Sequence, residues 1–172
     1  AGVDVSAFAP PARPRQDLPL PKPKKMSGDE YASRQMYDYA CRAWLEEGTE
    51  KALFKALDGF LRRRLVKEAA ETLARIEGDA GISPGGKAKA RLERGFLGLT
   101  RTRHNWTPSA SALATARKAL DRAVLHDRQR VGEGHLVAMS IRLMRALSAA
   151  GDHEGAIEVG ERLFEGGLKK AI

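Results

Sequence analysis

Between residues 29 and 165 apolar side chains recur with the period of an α-helix, and no stretch alternates with the period of two that a half-buried strand requires. This periodicity constrains the chain more than any other feature, because it leaves only helix-on-helix packing as a way to bury a core. The first helix is expected over about 29–46, with Tyr37, Ala40, Cys41, Trp44 and Leu45 on one face. Gly48 stops it, and Thr49 caps a second helix over about 50–64 carrying Leu53, Leu57, Phe60 and Leu61. A third helix, about 66–77, offers Val66, Ala70, Leu73 and Ile76. Arg62, Arg63 and Arg64 stand between these two, where either a break or a bent continuous helix fits.

Ser83-Pro84 has the form of a cap followed by proline at the first helical position. It introduces a fourth helix over about 86–102 with Ala88, Leu92, Gly95, Phe96 and Leu99. Thr107-Pro108 repeats that signal before a fifth helix, about 108–126, with Leu113, Ala116, Leu120, Ala123 and Val124. Gly132 and Gly134 punctuate a loop before a sixth, about 135–149, with Leu136, Ser140, Leu143, Met144 and Leu147. Gly151-Asp152 is a stop and a cap, and a seventh helix, about 153–165, carries Ala156, Ile157, Gly160, Leu163 and Phe164 before Gly166-Gly167. The expected fold is all-α, built from antiparallel helix pairs with short turns over 28–172.

Residues 1–27 are of another kind. Six of the eight prolines lie there, at 10, 11, 14, 19, 21 and 23. Proline fixes φ and removes a backbone donor, so an extended, polyproline-like arm is expected. Arg13, Arg15, Lys22, Lys24 and Lys25 outnumber Asp4 and Asp17. Such a segment lacks the apolar surface to fold by itself and would take shape against another macromolecule. Pro11-Ala12-Arg13-Pro14 is a bare PxxP, a match too short to point to one ligand class. The chain opens at Ala1, a start that loss of Met or cleavage of a targeting segment would each produce. In the second case a basic chain would suit a mitochondrion or chloroplast.

The C-terminal helices carry a resemblance. Leu143, Leu147, Gly151-Asp152, Ala156-Ile157 and Leu163 resemble the end of the first helix, the turn and the second helix of a tetratricopeptide repeat. Ala116, Leu120 and Ala123 resemble the second helix of the repeat before it. Met144 stands where that family prefers a small residue and Gly160 where it prefers an aromatic one. The alanines at 116 and 156 are 40 apart, where the repeat is about 34 residues long. The resemblance covers about 65 residues; it implies stacked helix pairs in an α-solenoid and a role in binding proteins. A plain irregular bundle is the other architecture the pattern allows.

No catalytic signature is present. His104, His126, His135 and His153 form no i, i+3 or i, i+4 pair that would hold a metal from one helix. His126 and His153 fall at helix ends, and His135 is read as a surface residue opening a helix. Cys41, the one cysteine, excludes an internal disulfide, and its apolar face marks it as a small buried hydrophobe. Ser83-Pro84-Gly85-Gly86-Lys87 lacks the spacing and the preceding strand of a phosphate-binding loop and is read as a helix-entry turn. Neither a cofactor nor a small-molecule substrate is expected, and no apolar run approaches the roughly 18 residues of a membrane span.

What is enriched is positive charge, +8 net with a pI near 9.9. Arg62, Arg63, Arg64 and Lys67 cluster; Lys87, Lys89, Arg91 and Arg94 follow; Arg101, Arg103 and His104 stand beside Trp106; Arg117, Lys118, Arg122, Arg128 and Arg130 continue the excess. The expected function is that of a non-catalytic scaffold subunit of a large assembly. Its helical domain would dock other protein subunits while its arm threads along them. Arg13, Lys22, Lys24 and Lys25 are the expected arm contacts, and Arg62, Arg63 and Arg64 the domain contact. The alternative is a ribonucleoprotein component, such as a ribosomal one. It would meet RNA through the arm, the 62–64 cluster and Arg101, Arg103 and Trp106, the last offering a stacking face for a base.

Overall fold

A computed structural model describes residues 26–100 and 107–168, with side chains placed through residue 163. The arm residues Arg13, Lys22, Lys24 and Lys25, and the group Arg101, Arg103 and Trp106, lie outside the described residues. The described chain is all-helical: α1 Gly28–Ser33, α2 Tyr37–Glu47, α3 Glu50–Arg62, α4 Val66–Gly78, α5 Pro84–Gly95, a 3-10 turn Leu97–Leu99, α6 Ala110–His126, α7 Arg128–Val131, α8 Glu133–Ala149 and α9 His153–Leu168. Each long helix packs on its predecessor and its successor, α6 passing directly to α8 with α7 wedged against α5 and α8.

Local chemistry sets most boundaries. Ser27 and Glu30 form a reciprocal capping box at α1, Thr49 accepts from the Ala52 N–H at 3.2 Å, and Ser83 accepts from the Gly86 N–H at 2.9 Å with Pro84 at the first helical position. Asp152 Oδ1 accepts from the Gly155 N–H at 2.9 Å, and Gly48 closes α2 in the left-handed region.

Four expectations require correction, and the choice left open at the arginine cluster is decided. The first expected helix is two: α1 ends in a turn at Arg34–Met36, with Gln35 at φ 60° and the Met36 N–H donating to the Tyr31 carbonyl at 3.0 Å. The chain also breaks at the arginine cluster, with Arg64 at φ 62° and the Leu65 N–H donating to the Phe60 carbonyl at 2.9 Å. These are six-to-one helix closures normally served by glycine. The fourth helix stops at Gly95, because the chain tightens into the 3-10 turn instead of running to 102. The fifth starts at Ala110: Ser109, and not Thr107, caps it, accepting from the Ala112 N–H at 3.2 Å. Gly134 lies inside α8, which begins at Glu133 directly after the short helix α7.

Two apolar clusters form the core. The first gathers Cys41 and Trp44 from α2, Leu53, Leu57 and Phe60 from α3, Leu73 and Ile76 from α4, and Ile82 and Ala90. The second gathers Ala88, Leu92 and Phe96, Leu113, Ala116 and Leu120 of α6, Val131 of α7, Leu136, Leu143 and Leu147 of α8, and Ala156 and Val159 of α9. α5 serves both, with Ala90 in one cluster and Ala88 and Leu92 in the other, so it is the wall they share. Its small side chains let helices close in from two sides. At the α5–α6 crossing a Cβ on Gly95 would meet the Ala119 Cβ at 2.3 Å. Three residues expected on buried faces, Tyr37, Val124 and Ile157, are instead exposed. In α4 it is Ala69, not Ala70, that is fully buried.

Polar ties cross-link this frame. Glu50 at the start of α3 accepts from the Ser83 N–H at 2.9 Å and its hydroxyl at 3.0 Å. Asp29 accepts from the Trp44 indole at 2.9 Å and from Lys55 at 2.6 Å, which pins α1 to α2 and α3. Arg142 of α8 donates to Glu93 at 3.1 Å, to the Phe96 carbonyl at 3.3 Å and to the Thr100 hydroxyl at 3.3 Å. The Phe96 carbonyl already accepts from the Leu99 N–H at 3.0 Å, so Arg142 is a second donor to it.

Candidate docking surfaces

Three surface features could do chemistry or bind a partner. The largest is a groove of about 660 Å³ whose floor is α8 and whose walls are α6 and α9. The floor presents Leu136, Ser140 and Leu143, spaced i, i+4, i+7 along one face of α8. The walls add Leu120, Val124 and Leu125 from α6 and Val159 and Leu163 from α9. Val124 is 40% exposed and Leu125 75% exposed, so the apolar surface continues out of the groove onto its lip. Ion pairs bridge the walls, Arg117 to Glu158 and Arg162 to Asp121 at 3.3 Å, while Arg162 also pairs with Glu158 within α9 at 2.6 Å. Arg128 and Glu133 pair at 2.6 Å at the rim. The Arg117 hydrogen bond is the main reason the Glu158 carboxyl is held below its ordinary range.

The second is a groove of about 320 Å³ between α5 and α6, with Arg91 and Arg94 on one side and Lys118 and Arg122 on the other. Two carboxylates lie among them, each already engaged: Glu77 with Arg94 at 3.0 Å and Asp127 with Arg130 at 3.4 Å.

The third is the arginine cluster at the end of α3. Arg62 pairs with Asp58 one turn back at 2.7 Å, and Arg63 pairs with Asp38 of α2. Both guanidinium groups are held even more firmly protonated by those hydrogen bonds. Only Arg64 of the three stands without a carboxylate among the described residues. Two of the three arginines thus tie α3 to itself and to α2 before any partner arrives.

One titratable group departs from its expected place. His135 is half-buried against Glu93 (3.4 Å), with Lys89 and Arg142 nearby. Burial, then the two cations, hold its pKa below the usual imidazole value. Burial likewise raises the Glu93 carboxyl, with Arg142 opposing. Neither residue lines either groove, and the cluster acts as a buckle between α5 and α8. Cys41 is buried, with its thiol pushed up by desolvation.

Linear runs of charge suggested the arginine cluster, whereas the paired grooves arise only from helix crossings. The one available signal was the apolar spacing of Leu120, Ala123 and Val124 along α6, which reads the same as a core stripe. Among the described residues no group of three or more His, Cys, Asp or Glu side chains could hold a metal, and no helix is long and apolar enough to cross a membrane. No protein-family model, curated protein or solved structure matches the chain.

Proposed function

We propose that this chain is a non-catalytic structural subunit of a multi-subunit assembly. Its helices form tetratricopeptide-like pairs, α5 with α6 and α8 with α9. The apolar groove between α6, α8 and α9 receives one amphipathic helix of another protein subunit, and the Pro-rich arm runs along neighbours. The groove carries the reading. Its floor repeats at i, i+4, i+7 over about two turns, which matches the ridge that one partner helix would lay into it. Its rim charges are neutralised by one another, so the surface left to offer is apolar.

Two details support the repeat-like arrangement. The large Met144 and the small Gly160 depart from the repeat pattern in opposite senses, and a Cβ on Gly160 would lie 3.1 Å from the Met144 methyl. The one fills the room the other leaves. The surplus in the 40-residue spacing of the alanines corresponds to residues 127–132, which hold α7 between α6 and α8.

The test is native purification of the tagged full chain with and without ribonuclease, alongside a Leu125→Glu variant. Burying a leucine is worth about 1.5–3 kcal/mol, so the charged variant should weaken docking roughly 10- to 100-fold or more. The expected result is a particle that survives ribonuclease and is lost with Leu125→Glu. A particle that ribonuclease dissolves, a variant that retains it, or a lone 18.8 kDa species would each overturn the proposal.

A further inference from the structure

The α5–α6 groove has no part in the helix-docking reading, and its chemistry is different. Of its four cations, Arg94 is paired with Glu77, while Arg91, Lys118 and Arg122 are exposed and have no carboxylate partner among the described residues. The other carboxylate at the groove, Asp127, is engaged by Arg130. Three uncompensated positive charges therefore face one depression. Lys118 and Arg122 stand at i, i+4, one above the other along α6. The wall between the two rows of cations is made of Ala88, Leu92, Thr115, Ala119 and Ala123. The small side chains bring the helices close, and Leu92 is itself only 2% exposed, so little apolar surface is left for a peptide side chain to cover.

We infer that this groove binds the phosphate backbone of single-stranded RNA. Such a chain needs only cations in reach and imposes no demand for a hydrophobic pocket. An acidic protein segment would also be attracted by the charge, but it would gain little from that wall. The groove holds no aromatic residue on which a base could stack, so recognition is through phosphate and carries no sequence preference. The net charge of +8 adds a long-range attraction for the same ligand.

The experiment titrates the full chain with fluorescein-labelled oligouridylate by anisotropy over a series of salt concentrations. Each phosphate contact on a single strand contributes about 0.7 to the slope of log affinity against log salt. The triple variant Arg91→Gln/Lys118→Gln/Arg122→Gln should therefore flatten the slope by about 2. The single variants should each flatten it by about 0.7, which keeps the test readable if the triple is poorly folded. The control Arg34→Gln/Lys51→Gln/Lys67→Gln removes the same net charge from exposed positions elsewhere and should leave the slope within one contact of the parent. Equal losses in both triple variants would assign binding to net charge and overturn the site. So would absence of salt-dependent binding by the parent chain. Displacement of the RNA by polyglutamate as readily as by unlabelled oligouridylate would overturn it in favour of an acidic protein.

Discussion

Gly95→Ala is the sharpest test of the packing. In an ordinary helix the change would stabilise, because alanine exceeds glycine by about 1 kcal/mol in helix propensity. Here the new methyl would sit 2.3 Å from the Ala119 Cβ and 3.7 Å from the Thr115 carbonyl, across the α5–α6 crossing. Inserting a methyl into a filled contact costs about 1–3 kcal/mol, and so close an approach to a stiff atom belongs in the upper half of that range. The expected net effect is a loss of about 1–2 kcal/mol in urea unfolding followed by far-UV circular dichroism. Ala119→Gly alone should cost about 1 kcal/mol through propensity. Together the two should nearly restore the parent, because the methyl removed is the one the new methyl strikes. The cycle then shows a favourable coupling of about 2–3 kcal/mol. Gly134→Ala, where nothing lies within 4 Å, should stabilise or be neutral. A Gly95→Ala variant as stable as the parent, or a double variant equal to the sum of the singles, would refute the close crossing.

Arg64→Gly should stabilise by about 0.5–1 kcal/mol: relief of a left-handed residue is worth about 1–2 kcal/mol, less the extra freedom glycine has when unfolded. A loss in chemical denaturation would show that Arg64 does something its backbone position does not. The Cys41 thiol should resist a thiol reagent in the native chain and react at the rate of unfolding, since it is buried and its pKa is raised; prompt labelling in buffer would contradict its place in the core. His135, with its native pKa lowered, binds fewer protons in the folded chain than in the unfolded one. Its contribution is therefore present above the ordinary imidazole pKa and lost as pH falls through that value toward the lowered one. His135→Gln should make thermal stability less sensitive to pH over that window; an unchanged pH profile would remove the imidazole from the account.

The helices were legible wherever the stop or cap was carried by a residue with one conformational use. Gly48-Thr49, Ser83-Pro84 and Gly151-Asp152 each mark a boundary that the structure keeps. The break at Gln35 was hidden, because tertiary contacts put a non-glycine residue in the left-handed region: the Trp44 indole covers Gly28, and Asp29 binds both Trp44 and Lys55. α7 was hidden because four residues cannot display a helical period. The double-sided burial of α5 was hidden because Ala88 and Ala90 are too small to signal a core face, and their importance comes from what approaches them. Charge runs and charged grooves differ for a related reason. Proximity in sequence made Arg62 and Arg63 conspicuous, yet carboxylates from α3 and α2 already occupy them, while Arg91 and Arg122 meet only because two helices cross.

That crossing also settles how two surfaces can coexist on so small a domain. The α6 residues lining the apolar groove include 117, 120, 121 and 124, and those lining the basic groove include 115, 118, 119 and 122. Each set follows i, i+3, i+4, i+7, and the second is the first shifted by two residues. Two residues turn a helix by about 200°, so the same helix shows Leu120 and Val124, with the ion-paired Arg117 and Asp121, to one side and Lys118 and Arg122 to the other. A partner helix in the first groove leaves the second open. It follows that Leu125→Glu should not change the salt slope for RNA, and that Lys118→Gln should not release a docked protein partner. Loss of both activities from either substitution would mean that α6 had moved, not that a contact had been removed, and the Gly95–Ala119 cycle would then report that movement directly.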